Sequence, residues 1–75
     1  MGRLMYTQYN DCRGTPINVG DTVAVAMRHS SSAWIQYYYV VEFEKGGNAR
    51  PRLEHPTTLK VHTFGGSPSA IIRIG

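Results

Sequence analysis

Twelve residues, 33–44, constrain this chain more than any others: AWIQYYYVVEFE. Three adjacent tyrosines and two adjacent valines lose side-chain freedom in a helix and fit a pleated surface, so the segment predicts a strand. A regular pleat puts Ile35, Tyr37, Tyr39, Val41 and Phe43 on one face. Trp34, Gln36, Tyr38, Val40, Glu42 and Glu44 then lie on the other. A bulge partway along would instead bring Val40 inward with Phe43. On the regular pleat, Trp34, Tyr38 and Val40 form an outward apolar patch. Either way the strand carries more aromatic surface than one face of a small domain can hide.

The wall against which this strand is expected to build is residues 22–28. Gly14 and Gly20 can take positive φ, and Asp21 can bond nearby backbone, so they mark turns before it. Val23, Val25 and Met27 then alternate with Thr22, Ala24, Ala26 and Arg28, as in a strand with one buried face. Ile17 and Val19 are apolar residues in a loop, expected to fold under the sheet. Residues 29–32 (HSSS) form a polar break between antiparallel neighbours.

Residues 4–9 predict a short first strand, and residues 45–48 (KGGN) a hairpin tip. Arg50-Pro51-Arg52 and His55-Pro56 are interrupted by proline, which predicts an edge strand or a loop. Residues 59–64 alternate again, with Leu59, Val61 and Thr63 opposite Lys60, His62 and Phe64. Residues 70–74 predict a closing strand, with a 3₁₀ turn at 68–70. No segment reads as an α-helix. Four to six short strands separated by turns predict an all-β antiparallel small barrel, a single domain over 1–75.

A domain of this size buries only about 60% of the surface its unfolded chain exposes. Small proteins compensate with disulfides, metals or self-association. The chain has 1 cysteine, Cys12, so no intramolecular disulfide forms, which fits a reducing compartment. His29, His55 and His62 show no zinc-ligand spacing, and no metal or cofactor is expected. Self-association remains. No stretch reaches the ~20 apolar residues of a membrane span, and the first residues lack the pattern of a signal peptide or a myristoylation site. The expectation is a cytoplasmic protein without membrane contact.

The run Asp11-x-x-Gly14-x-x-Ile17-x-x-Gly20-Asp21-x-Val23, continuing through Val25-Ala26-Met27-Arg28 to Val40-Val41-Glu42-Phe43, resembles the small SH3-like barrels, with KOW-type modules the nearest group. It is also similar to short bacteriophage proteins that pair a GDTVAxAxR strand with a serine-containing loop, a VVEF-like strand and an RLKV-like strand. Here those pieces are residues 20–28, 30–32, 40–43 and 59–61. The resemblance implies an SH3-like antiparallel barrel and a phage-encoded protein acting in the cytoplasm of a host cell.

Candidate chemistry is sparse. Ser30, Ser31 and Ser32 adjoin His29, but neighbours on a strand-end loop point apart, and a nucleophile needs its base within hydrogen-bond reach. Glu42 and Glu44 read as a solvated sheet edge. Cys12 beside Arg13 reads as an ordinary thiol, and Lys45-Gly46-Gly47 lacks the spacing of a phosphate loop. No catalytic residue and no enzyme activity are expected.

Binding has the stronger motive. Trp and Tyr dominate interface hot spots, so Trp34, Tyr37, Tyr38, Tyr39 and Val40 are the candidate protein-docking residues. The expected partner is a host or phage protein, with the chain itself a homo-oligomer. A formal charge of +3 also permits nucleic acid as a partner, through Arg50, Arg52, Lys60 and His62 with aromatic faces for stacking. Capture of a small nucleotide is a third reading.

Overall fold

The structure is a computed structural model that describes residues 9–45 and 49–75. Five strands form one antiparallel sheet: β1 (Thr22–His29), β2 (Ser32–Phe43), β3 (Pro51–Glu54), β4 (Val61–Thr63) and β5 (Ile71–Arg73). Their order across the sheet is β4-β3-β2-β1-β5. The all-β antiparallel reading is correct. A 3₁₀ turn, Pro68–Ala70, precedes β5, with Ser67 as its N-cap accepting from the Ser69 N–H.

The sheet does not close into the barrel expected from the sequence, because β4 and β5 do not pair. Each has 3 residues, and the chain between them leaves the ladder at Phe64. Phe64 donates its N–H to the Pro51 carbonyl at 2.9 Å and buries its ring in the core. A Cβ on Gly66 would meet that ring at 2.9 Å, so only glycine lets the backbone cross so closely. Arg50 Nη1 donates to the carbonyls of Phe64 (3.4 Å) and Gly66 (3.3 Å). Arg50 thus ties the chain after β4 back to the start of β3, while the core shared by Phe64 and Ile71 of β5 spans the seam that backbone pairing leaves open.

The loop over residues 10–21 is organised as its turn residues predict. Gly14 and Gly20 take φ of 80° and 96°. Asp21 Oδ2 accepts the Asn18 N–H at 2.7 Å. Ile17 is buried, but Val19 is exposed: it occupies the turn itself, whose neighbour Gly20 bonds the Val40 carbonyl at 2.8 Å, and the side chain faces solvent. Residues 4–8 of the expected first strand and residues 46–48 of the expected hairpin tip lie outside the described residues.

β1 and β2 are joined by a two-residue turn, Ser30-Ser31, with His29 opposite Ser32. Register then follows by counting: Val23 faces Tyr38, Val25 faces Gln36 and Met27 faces Trp34. Opposed residues share a face. Val23 and Val25 are buried, so Tyr38 and the same-parity Val40 are core residues too. A register shift between Val40 and Glu42 marks a bulge at Val41. It turns Phe43 toward the core beside Val40, as the alternative pleat allowed. β3 is an interior strand and not an edge. Pro51 is accommodated as its first residue, where its carbonyl serves the ladder and its missing N–H is not called on. Leu53, wholly buried opposite Val40, completes the core.

In the turn from β3 to β4, the N–H groups of Thr57 and Thr58 donate to His55 Nδ1 at 3.1 and 3.2 Å. The turn ends at Leu59, with φ 61° and a side chain 63% exposed. Of the two sets that alternate over 59–64, the one with His62 and Phe64 faces the core, while Leu59 and Val61 face solvent. A non-glycine residue in the left-handed region costs about 1–2 kcal/mol. Leu59→Gly relieves that cost without uncovering core, and part of the gain is lost to the freer unfolded chain. The expected result is stabilisation by about 0.5–1 kcal/mol, read from urea unfolding.

Candidate functional site

The sheet has a core face and an outer face, and the candidate docking residues divide between them. Tyr38 (6% exposed) and Val40 (1%) belong to the core, so they leave the docking patch. The physical reason is the register just described. Tyr38 packs edge-on between two histidine rings, with centroids 5.8 Å from His55 and 5.2 Å from His62. Trp34 shares the core side with Met27 but lies beyond the end of the core, and its ring is half exposed.

The outer face of β2 carries Ile35 (56% exposed), Tyr37 (53%) and Tyr39 (46%), with the bulged Val41 also exposed. Ile35 and Val41 had been expected inside. Across the ladder, Tyr37 faces Ala24, which in turn faces Ile72 of β5, and Ile35 faces Ala26. Two alanines therefore make a low floor beside the tall β2 row. Glu54 opposite Tyr39 borders this strip toward β3.

Farther along the same side, Arg52 Nε lies 2.9 Å from Glu42 Oε2. Its N–H is not aimed along that line, so this is a charge pair and not an aligned hydrogen bond. The aligned bond runs from Arg52 Nη1 to Thr63 Oγ1 at 3.0 Å, and Thr63 Oγ1 donates to Glu44 Oε2 at 3.0 Å. Glu42 and Glu44 are thus tied to the sheet as separate partners of Arg52 and Thr63.

The four residues considered for nucleic acid are dispersed. Arg50 is bonded to the carbonyls of Phe64 and Gly66 after β4, Arg52 is engaged on the outer face, His62 packs against Tyr38, and Lys60 sits in the β3–β4 turn. His29 and Asp21 flank opposite ends of β1, roughly 25 Å apart at the rise of an extended strand, so the Ser-His-Asp elements are not brought together. Cys12 is exposed, and its N–H donates to the Ile71 carbonyl at 2.9 Å. Arg13 Nη2 donates to the Arg73 carbonyl at 3.2 Å.

One residue to which the sequence assigned no role of its own is the buried Asp11. Its Oδ1 accepts the N–H groups of Arg13 (2.9 Å) and Thr15 (2.8 Å), and its Oδ2 accepts the N–H of Arg73 (2.8 Å). The Arg73 N–H leads in holding this carboxyl below the ordinary aspartate value of 3.8; the other two N–H groups and the Arg13 charge add to it against partial desolvation. Asp11 welds the loop to β5 and so covers that strand's far edge. Burial pushes the Tyr9 hydroxyl up, against the charge of Arg50.

No family model, curated protein or solved structure matches the chain. Among the described residues no helix is long and apolar enough to cross a membrane, and no group of three metal-ligating side chains gathers.

Proposed function

We propose that this chain is a non-enzymatic binding module that docks on protein through the outer face of β2, with a second copy of itself as the first occupant. The observation that carries this is the contiguous exposure of Ile35, Tyr37, Tyr39 and Val41 beside the alanine floor. A half-exposed tyrosine offers about 100 Å², so the strip presents on the order of 300–400 Å², within the range of the largest apolar patch of a typical monomer, which is often functional. Two such strips face to face bury about 600–800 Å² from these side chains alone, less than a standard interface. Self-association is therefore weak and concentration-dependent, and the same face is open to a larger partner. The likeness to short phage proteins supports an accessory role for a phage-encoded protein in its host.

The test is light scattering across a concentration series with Tyr37→Glu as the variant. The parent chain is expected to pass from monomer toward dimer as concentration rises, and Tyr37→Glu to stay monomeric with an unchanged unfolding midpoint. A parent chain monomeric at every concentration, or a variant that dimerises equally, would refute the self-docking face. Tyr38 is unsuitable for this test, since a charge there enters the core.

A further inference from the structure

β1 and β2 run past the rest of the sheet. β5 pairs with β1 only at Val23–Val25, and β3 pairs with β2 only from Tyr39 onward. Residues 26–35 therefore form a two-stranded ribbon with both edges unpaired among the described residues. An unpaired edge is a template for another strand.

The β1 edge has more than bare backbone. The Thr22 N–H and carbonyl bond toward Gly75 and Ile74, on the β5 side. With the period of 2 along a strand, the N–H and C=O of Ala26 and Arg28 point the same way. They aim into the lane that β5 would occupy if it were longer. Ala70 stands opposite Ala26 by register, but its N–H is turned back to the Ser67 carbonyl at 2.9 Å, so it donates no ladder bond to Ala26.

A groove of ≈ 260 Å³ adjoins this stretch of β1. Residues 25–28 of β1 line it together with Tyr38, His62, Phe64, Gly65, Gly66 and Ala70. Gly65 has nothing within 4 Å of its Cβ position, whereas Gly66 lies against the Phe64 ring. None of the lining residues is acidic. Arg28, at the rim, makes no ion pair among the described residues.

We infer that this groove is a peptide site. An extended segment adds to β1 beyond the end of β5, exchanging backbone hydrogen bonds with Ala26 and Arg28. One apolar side chain enters between Met27, Tyr38 and Phe64, and an acidic neighbour meets Arg28. This is strand addition, in which backbone bonds supply affinity and a pocket for alternate side chains supplies selectivity. The site is separate from the outer face of β2 and does not depend on it.

The probe is a capped pentapeptide, Thr-Glu-Leu-Glu-Thr, titrated into the ¹⁵N-labelled full chain. The amides of Ala26 and Arg28 are expected to shift saturably and to gain protection from hydrogen exchange. Replacing both glutamates of the peptide by lysine weakens binding by about tenfold, and methylating its backbone nitrogens abolishes binding. Arg28→Glu, on an exposed side chain, reverses the preference between the two peptides. Gly65→Leu fills the groove and weakens binding by about tenfold, with its spectrum reporting that the fold persists. Tyr37→Glu leaves peptide binding unchanged, so loss of the outer-face reading does not touch this one. The inference is overturned by no saturable shift at millimolar peptide, by equal binding of the lysine or methylated peptide, or by shifts confined to Tyr37 and Tyr39.

Discussion

Leu53→Ala is expected to lower the unfolding free energy by about 2–5 kcal/mol, the range for truncating a buried leucine. Leu53 is fully buried on the short interior strand β3, opposite Val40 on one side and His62 on the other. Short strands leave little room for the sheet to collapse around a cavity, which places the cost toward the upper end. A chain of 75 residues holds about 4–11 kcal/mol in all at 0.05–0.15 per residue, so the variant loses a large share of its stability. Urea unfolding followed by tryptophan fluorescence checks this. A midpoint within error of the parent would mean that β3 does not pack as described.

The second large effect concerns Asp11. Asp11→Ala leaves the N–H groups of Arg13, Thr15 and Arg73 without their acceptor. A buried donor left unpaired carries its desolvation cost in full. The expected fall in Tm is about 10 °C or more for a domain of this size. Asp11→Asn is intermediate, because its amide nitrogen cannot accept and only one oxygen remains for three donors. The wild-type carboxyl also links stability to pH. Its folded value lies below the unfolded 3.8, so its contribution is complete well above pH 3.8 and is lost as pH falls through the folded value. Thermal unfolding from pH 6 down to pH 2 is expected to show a falling Tm in the parent and a flatter profile in Asp11→Ala. Parallel profiles would remove Asp11 as the source.

Much of the fold was legible because turn chemistry and strand composition agree. Gly14, Gly20 and Pro68 mark their turns as expected, and residues 33–44 could be little other than a strand. The facing of β2 was misread for a specific reason. Both of its faces are apolar, so hydrophobic alternation has no contrast to report. The missing signal was arithmetic. Treating 29–32 as a loose break discarded the register, whereas a two-residue turn at Ser30-Ser31 sets Val23 opposite Tyr38 and decides the face at once.

β3 was obscured by Pro51, whose local meaning depends on being first in the strand. Asp11 could not be recognised from sequence, since its third donor, Arg73, is 62 residues away. The groove beside β1 was equally hidden, because it exists only where β5 stops short.

The seam between β4 and β5 has its own consequence. Neither strand is anchored on both sides by a neighbouring ladder: β4 hangs from β3 alone, and β5 rests on β1 and the loop welded by Asp11. Separating the two costs the burial of Phe64 against the core it shares with Ile71, but no row of sheet hydrogen bonds. The molecule can therefore breathe along one line while the remaining strand pairs stay intact, a subglobal opening cheaper than full unfolding. A clasp of one buried ring makes this sheet a hinged shell.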